Sequence, residues 1–449
     1  MSKKVAFVSL GCDKNTIDSE IMLTLMTDHG YEITKQDEEA NVIVINTCAF
    51  ILDAQEESIN TIIEMGQYKE TGKCEALIVT GCLAQRYADE IFNELPEVDA
   101  VIGTGSYEKI VEVMDEVLNR HKSQVRCTGV LEQRDLSYYR RTITTPGYFE
   151  YLKIAEGCDN RCTYCIIPQL RGAYRSRLKE DILKEAKELA QEGVKELMVV
   201  AQDITRYGYD LDSDYKLPQL LHDLCGIEGI QWIRLLYCYP EEITDELIET
   251  MRTEEKILPY IDMPIQHCSN TVLKRMGRRH TKETLNQVIN KLRDAMPEIA
   301  IRTTLITGFP GETEEEFKET MEFIKDSCFD RLGVFTYSQE EGTPAAKLPD
   351  QIPEEEKQRR QAELMTLQKE ISEEISAQMV GRELVAIIEG RIPGEGDDEG
   401  EVYSARTYRD APDIDGFIFI TTAEDLRSGD LVRCRVTGAY EYDLIGELL

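Results

Sequence analysis

Long apolar runs are missing from these 449 residues. No stretch approaches the ~18 consecutive apolar residues that a membrane span requires, so a membrane protein is not expected. Positive charge is also scarce. Lys and Arg number 51 against 85 Asp and Glu, a formal net charge of -34. A chain built mainly to grip a phosphate backbone carries a basic surface. This one should repel nucleic acid and attract a basic partner, although acidity also serves simply to keep a large enzyme in solution. A regular disulfide frame is absent too: thirteen cysteines, an odd number, are partly clustered and partly scattered. In a chain this large, that usage fits a reducing, cytoplasmic setting with metal ligands. The GTGS at 103–106 lacks the full glycine pattern and the lysine of a phosphate loop. There is no low-complexity tract. The opening MSKKVAFVSLGC imitates a lipoprotein signal, but its apolar run is only about seven residues, at or below the lower limit. Ser9 also stands where an aliphatic residue belongs, so a first β-strand is expected there.

What is present is concentrated in Cys158-Asp-Asn-Arg-Cys162-Thr-Tyr-Cys165. Thiolates spaced three and then two residues apart on one loop can turn onto a single iron cluster. Three ligands hold a 4Fe-4S cluster and leave one iron open, where the usual four-thiolate site closes every position. A structural zinc knuckle is the alternative. Zinc normally takes a fourth Cys or His in paired spacing, and no His lies between residues 122 and 221.

The first ~125 residues alternate strand and helix, the pattern of a parallel sheet. VAFVSLG (5–11), NVIVIN (41–46) and ALIVTG (76–81) each run within two residues into a cysteine: Cys12, Cys48 and Cys82. Residues just past the carboxyl ends of strands gather at one edge of an open α/β sheet. These three should therefore converge as a second three-cysteine site, the bland alternative being buried thiols used as small hydrophobes. A polar connector, rich in Arg and Thr, ends at Pro146-Gly147. Six further strand candidates follow, beginning near 149, 195, 231, 259, 299 and 331, separated by helical patterns. That series predicts a partial (β/α)6 barrel with its site at the strand carboxyl ends. A long charged helix (353–381) then gives way to five short strands, as in a small antiparallel OB-like barrel. The fold class is thus α/β multidomain. Expected bounds are 1–125 for the first domain, 126–147 for a linker, 148–375 for the partial barrel and 378–449 for the terminal barrel.

CxxxCxxC with Tyr164 before its last cysteine resembles the signature of radical S-adenosylmethionine (SAM) enzymes. With the second three-cysteine set and the terminal barrel, the whole chain resembles the methylthiotransferase family of those enzymes, whose terminal module is a TRAM domain. The stretches SLGCDKNTIDSE (9–20), YCYPEEITDELIE (237–249), MPIQHCSNTVLKRMGRRHT (263–281) and VFTYSQEEGTPAAKLPDQIPEE (334–355) are similar to the branch that modifies a ribosomal protein. Where that branch generally has proline, this chain has Asp13.

The resemblance implies two 4Fe-4S clusters, one on Cys12, Cys48 and Cys82, the other on Cys158, Cys162 and Cys165. It implies two SAM per turnover, one as radical source and one as methyl donor, with sulfur delivered through the N-terminal cluster. It implies β-methylthiolation of an aspartate of the small-subunit ribosomal protein twelve, a basic partner. An electron donor such as a flavodoxin or ferredoxin system is also implied. TLITGFPGE (304–312) resembles the family's SAM-binding strand, with Gly308 opening the backbone and Glu312 shaping the loop; the plain alternative is a Gly-Pro turn. Gln202 and Asp203, just past the second barrel strand, are placed for ribose, or form a turn. Arg171, Arg175 and Arg177 offer guanidinium forks to carboxylates of SAM or of the substrate. The other cysteines (74, 127, 225, 238, 268, 328 and 434) read as packing residues. His267 is not read as a catalyst. The rival enzyme reading is a tRNA adenosine methylthiotransferase, and from another class comes an iron-sulfur electron carrier. Charge weighs against tRNA: residues 381–449 hold 16 Asp or Glu, 7 Arg and no Lys, a net -9.

Overall fold

The computed structural model describes residues 2–120, 124–131, 137–397 and 400–449, without the side chains of 395–397. Part of the connector (132–136) and the acidic pair Asp398 and Glu399 lie outside the described residues.

Six strands build the first sheet: β1 (Lys4–Ser9), β2 (Glu32–Ile33), β3 (Val42–Thr47), β4 (Ala76–Gly81), β5 (Ala100–Gly103) and β6 (Val125–Cys127). All pair in parallel, in the order β2-β1-β3-β4-β5-β6. Every residue of β3, β4 and β5 is buried. That matches their unbroken apolar composition and the helices on both faces. The edge strands β2 and β6 were not expected; two or three residues are too few to carry a period. After β4, two short helices run over Cys82–Arg86 and Ala88–Glu94.

The central unit begins with β7 (Phe149–Lys153), then a small antiparallel pair, β8 (Ala155–Glu156) with β9 (Arg175–Ser176). It continues through β10 (Glu196–Val200), β11 (Trp232–Leu235), β12 (Ile257–Asp262), β13 (Ala300–Thr307) and β14 (Arg331–Thr336). Its six-stranded parallel sheet has the order β14-β13-β12-β11-β10-β7, and β14 and β7 do not pair. The barrel is therefore partial and open. The helix Glu354–Ala377 packs on its last strand: Gln368 donates to the Phe329 carbonyl and Arg360 to that of Glu312.

The terminal unit is a closed barrel of β15 (Glu383–Asp397), β16 (Gly400–Thr407), β17 (Ile418–Thr422), β18 (Leu431–Ala439) and β19 (Leu444–Leu448), ordered β15-β16-β17-β19-β18. Four of its pairings are antiparallel; β17 and β19 run parallel and close the ring. The end of β16 and the loop after it dock at the first residues of β10 and β14 through buried pairs. Arg406 and Arg234 both hold Glu196, at 2.8 and 2.9 Å, and Arg331 meets Asp410 at 2.5 Å.

Charged groups also join the first unit to the central one. The Arg141 side chain is 2% exposed and lies 2.5 Å from Glu20, 3.3 Å from Glu150 and 2.8 Å from Glu185. Breaking a buried pair by removing one partner typically costs about 3–5 kcal/mol, so such contacts fix how the units sit. Near the strand ends, Gln55 and Arg86 both reach Glu340, at 2.8 and 3.0 Å.

Candidate functional site

Cys12, Cys48 and Cys82 stand just past β1, β3 and β4, adjacent strands of one sheet. Glycines let their loops touch. Gly11 has φ +95, and a Cβ there would lie 3.0 Å from Cys48 Cβ. Gly81 has φ +94, and a Cβ would fall 2.5 Å from the Thr47 carbonyl. Left-handed backbone and this closeness both demand glycine. The hydroxyl of Ser58 fixes Cys48 from both sides, accepting from its N–H at 3.1 Å and donating to its carbonyl at 3.0 Å. Burial pushes the Cys82 thiol up to about 12, opposed by the Arg171 guanidinium, with the nearby Cys12 and Cys48 raising it further. Cys12, Cys48 and Cys82 thus follow three neighbouring strands at one edge of the sheet.

The second set lies on the loop between β8 and the helix Ile167–Arg171. Gly157, φ +80, brings this loop against the strand that returns: a Cβ there would fall 2.1 Å from the Ala173 carbonyl. Backbone bonds set the curve, with Cys158 N–H donating to Gly172 at 3.1 Å and Cys165 N–H to Cys162 at 3.0 Å. Thr163 N–H reaches across to the Met276 carbonyl at 2.9 Å. Burial pushes Cys158 up to about 11 and Cys165 up to about 12, the neighbouring Cys162 adding to both.

Around these thiols lie residues that the motif alone did not single out. Cys162 Sγ sits 3.7 Å from the Tyr239 hydroxyl and 3.9 Å from Arg278 Nη1, and the Arg278 guanidinium stacks 4.1 Å from the Tyr239 ring centre. Arg278 belongs to the cationic run KRMGRRH, yet it is buried, 7% exposed. Tyr164 meets Phe309 edge-on at 6.4 Å, in a small apolar cluster with Val272, Met276, Tyr337 and Ala345.

The remaining expected contacts divide. Glu312 is buried and accepts from the backbone N–H groups of Gly308 and Phe309 (the latter at 3.2 Å), with Arg360 at 3.2 Å. It thus shapes the loop that Gly308, at φ +71, opens. Gln202 donates to Glu156 at 3.2 Å, and its Oε1 is buried without a partner. Asp203 is engaged by Asn160 at 2.8 Å and by Thr205. Arg175 lies in β9 opposite Glu156. Arg171 and Arg177 do not serve as open carboxylate receptors. Arg171 is 2% exposed on Glu156 and Asp18, and Arg177 is held by Glu185 at 2.7 Å. These two guanidiniums are absorbed by the chain's own acids, whose partners sequence spacing could not reveal. His267 is buried, 3.4 Å from Glu312. Among the other cysteines Cys74, Cys238, Cys268 and Cys434 are buried, Cys127 and Cys225 half-buried, and Cys328 is exposed at a helix end, contrary to a packing role.

The donor chemistry suits iron-sulfur clusters. Among the described residues, no three His, Cys, Asp or Glu side chains gather tightly enough for a single metal ion. The unpartnered buried Gln202 Oε1 and Arg278 Nε beside the barrel set suit a polar guest there.

A partial parallel barrel with this cysteine loop at its strand carboxyl ends is the architecture of radical SAM proteins. Residues 152–324 match the Radical SAM superfamily, residues 4–103 the Uncharacterized protein family UPF0004, and residues 380–449 the TRAM domain. The chain is 54% identical, over 99% of both chains, to the Ribosomal protein uS12 methylthiotransferase RimO of Lachnoclostridium phytofermentans. It is 50% identical to the RimO of Acetivibrio thermocellus, over 100% of this chain and 99% of that one. It belongs to the RimO family of radical SAM methylthiotransferases. In fold it is similar to the radical SAM methyltransferase TsrM of Kitasatospora setae, with TM-score 0.57 and 16% identity over 77% of each chain. The cobalamin-dependent SAM radical enzyme OxsB is also similar, at TM-score 0.53 and 14% identity, over 83% of this chain and 56% of that one.

Proposed function

We propose that this chain transfers a methylthio group to the β-carbon of an aspartate of ribosomal protein uS12, using two 4Fe-4S clusters. The observation that carries this reading is the pair of three-thiol sets, one at the carboxyl edge of each parallel sheet, in a chain of the RimO family. Cys158, Cys162 and Cys165 would hold the cluster whose open iron takes SAM; Cys12, Cys48 and Cys82 would hold the other. When bound, these groups supply a carbon-centred radical from one SAM, a methyl group from a second, and stored sulfur.

The protein's own residues supply position and exclusion of water. Glu312 pins the Gly308–Phe309 backbone that lines the SAM side. Tyr164, Phe309 and Tyr337 wall it with apolar rings. Gln202, Asp203 and Arg175 complete the SAM-binding set, Gln202 through its unpartnered carbonyl. Arg278 and Tyr239 direct donors at Cys162 Sγ. Hydrogen bonds and cationic charge at a ligand sulfur tune cluster potential.

The domain bounds that go with this reading are 1–125, a linker 126–147, 148–375 and 378–449. A small flavoprotein or ferredoxin is the proposed electron donor, and the cytoplasm the proposed compartment. Among the described residues no helix is long and apolar enough to cross a membrane.

Charge supports a basic protein substrate over tRNA. In the terminal barrel five of the seven arginines (Arg391, Arg406, Arg409, Arg433 and Arg435) are in ion pairs with acids. That leaves little cation to meet phosphate. The test is anaerobic reconstitution with uS12, SAM and reductant, read by intact mass and peptide mapping. One methylthio group in place of hydrogen on an aspartate is the expected result. A methylthio group on tRNA adenosine, with uS12 unmodified, would move the enzyme to the tRNA branch.

A further inference from the structure

One side chain touches all three cysteine loops of the N-terminal site, and it is not a cysteine. Asn15 lies one turn into the helix Asp13–Asp28 and is 1% exposed. Its Nδ2 donates to the Leu10 carbonyl at 3.0 Å, two residues before Cys12. The same nitrogen donates to the Thr47 carbonyl at 3.0 Å, the residue before Cys48. Its Oδ1 lies 4.0 Å from Cys82 Sγ. The space is closed, since a Cβ on Gly11 would come within 2.8 Å of that Nδ2. Asn46 locks the backbone in turn, donating to the Asn15 carbonyl at 2.9 Å.

Asn15 Oδ1 also accepts from Arg171 Nη2 at 2.6 Å. Arg171 comes from the other unit, at the end of the helix that follows Cys165. Its Nη1 contacts Asp18 of the first unit at 3.1 Å and Glu156 of the central unit at 3.0 Å. Lys153 bridges the same two acids, at 2.7 and 3.1 Å. Glu156 precedes Gly157-Cys158 and also accepts from Gln202. A continuous buried polar chain thus runs from the barrel's cysteine loop to the N-terminal cysteines. Arg171 is thus one amide oxygen removed from Cys82 Sγ, through Asn15 Oδ1.

We propose that Asn15 and Arg171 act as a positioning pair, through which the barrel's cysteine loop orients the N-terminal cluster and raises its reduction potential. The proposal rests on the two-cluster reading above. Asn15 would set where the three thiolates stand. Arg171 would place a fixed guanidinium beside the cluster, favouring its reduced, more negative form, since buried charge acts strongly in low dielectric. Arg is suited to the role because it stays charged when buried and presents a planar fork to two acids and an amide at once.

The experiment uses the full chain with Cys158, Cys162 and Cys165 replaced by Ala, so that one cluster remains, in parallel with the intact chain. Iron content, the electron paramagnetic resonance of the reduced cluster and its midpoint potential are read for N15A, R171Q and R171K. R171Q should retain iron while its reduction constant falls at least tenfold, a shift of about 59 mV for a one-electron couple. R171K should recover most of the potential with an altered resonance spectrum, because the charge returns without the fork. N15A should alter that spectrum and load less iron. In the intact chain R171Q should show the same shift for this cluster, separating charge from any effect of the cysteine replacements. An R171Q cluster with full iron and unchanged potential would overturn the proposal. So would an R171K no closer to wild type than R171Q. Absence of any iron in the Cys-to-Ala parent overturns instead the two-cluster reading, a failure seen before any Asn15 or Arg171 variant is made.

Discussion

At the scale of single residues, the two cysteine sets should separate by what is lost. Cys12→Ala, Cys48→Ala or Cys82→Ala should abolish methylthio transfer and leave reductant-driven 5'-deoxyadenosine formation. Cys162→Ala should abolish both. Chromatography of the nucleoside beside intact mass of the protein substrate distinguishes them, and transfer at the wild-type rate by Cys48→Ala would sink the sulfur-delivery role. Asp203 carries a pH signature. Burial pushes its carboxyl from 3.8 up to about 6, against hydrogen bonds from Thr205 and Asn160 that pull it down. The folded chain therefore keeps a proton that the unfolded chain releases. Stability from this group is full below about pH 4 and is lost as pH rises through about 6. Asp203→Asn removes that titration. Urea midpoints of the cluster-free chains should diverge across this window by on the order of 2 kcal/mol, the wild type weakening relative to the variant. Parallel curves would show that the Asp203 carboxyl does not titrate there. The CxxxCxxC loop was legible because that motif is local. Arg278 and Tyr239 were not, since each reaches Cys162 from far along the chain.

At the scale of elements, glycines hold the cysteine loops in place, and their substitutions should differ by surroundings. Gly157→Ala meets the Ala173 carbonyl at 2.1 Å, so the β8–β9 approach must open. We expect loss of about half the iron, that of the barrel cluster, together with a lower melting temperature. Gly193→Ala has φ +103 but nothing within 4 Å of its new Cβ. It should cost only the left-handed backbone term, about 1–2 kcal/mol, with iron unchanged. Equal iron in the two variants would show that the close approach at Gly157 is not what shapes the loop. Long apolar strands and the cysteines ending them were readable from periodicity. The strands of two or three residues, β2, β6, β8 and β9, were not. Pairing with a neighbour creates them, and β8 with β9 positions both Glu156 and Arg175.

At the scale of the whole molecule, buried charge joins the three units. Glu196 is fully buried between Arg234 and Arg406. Glu196→Ala should leave the buried Arg234 without its counterion and Arg406 with Glu389 alone, and cost about 3–5 kcal/mol, read as an earlier urea transition with release of the terminal barrel to protease. A transition and cleavage pattern identical to wild type would mean the docking is held elsewhere. The acidity of the terminal barrel acts at longer range. Glu424 and Asp425 are exposed, and reversing both to Lys should slow association with uS12. Added salt should slow the wild type similarly, as it does any surface attraction beyond a Debye length of about 8–10 Å. An association rate insensitive to both changes would remove the electrostatic argument for this substrate.

The amino-acid sequence by itself determined the order of the three units, the CxxxCxxC loop and the acidic balance. Each of these follows from local periodicity, spacing or composition, which need no knowledge of what lies across the fold. Tertiary structure alone decided the fate of the arginines. Arg171 and Arg177 look in sequence like receptors for a ligand's carboxylate, yet Asp18, Glu156 and Glu185 pair with them inside the protein. A buried guanidinium must be paired, and its partner is set by which elements fold against it, not by its neighbours in the chain. The same holds for Asn15, an unremarked residue three positions past Cys12, which folding places among all three N-terminal cysteine loops.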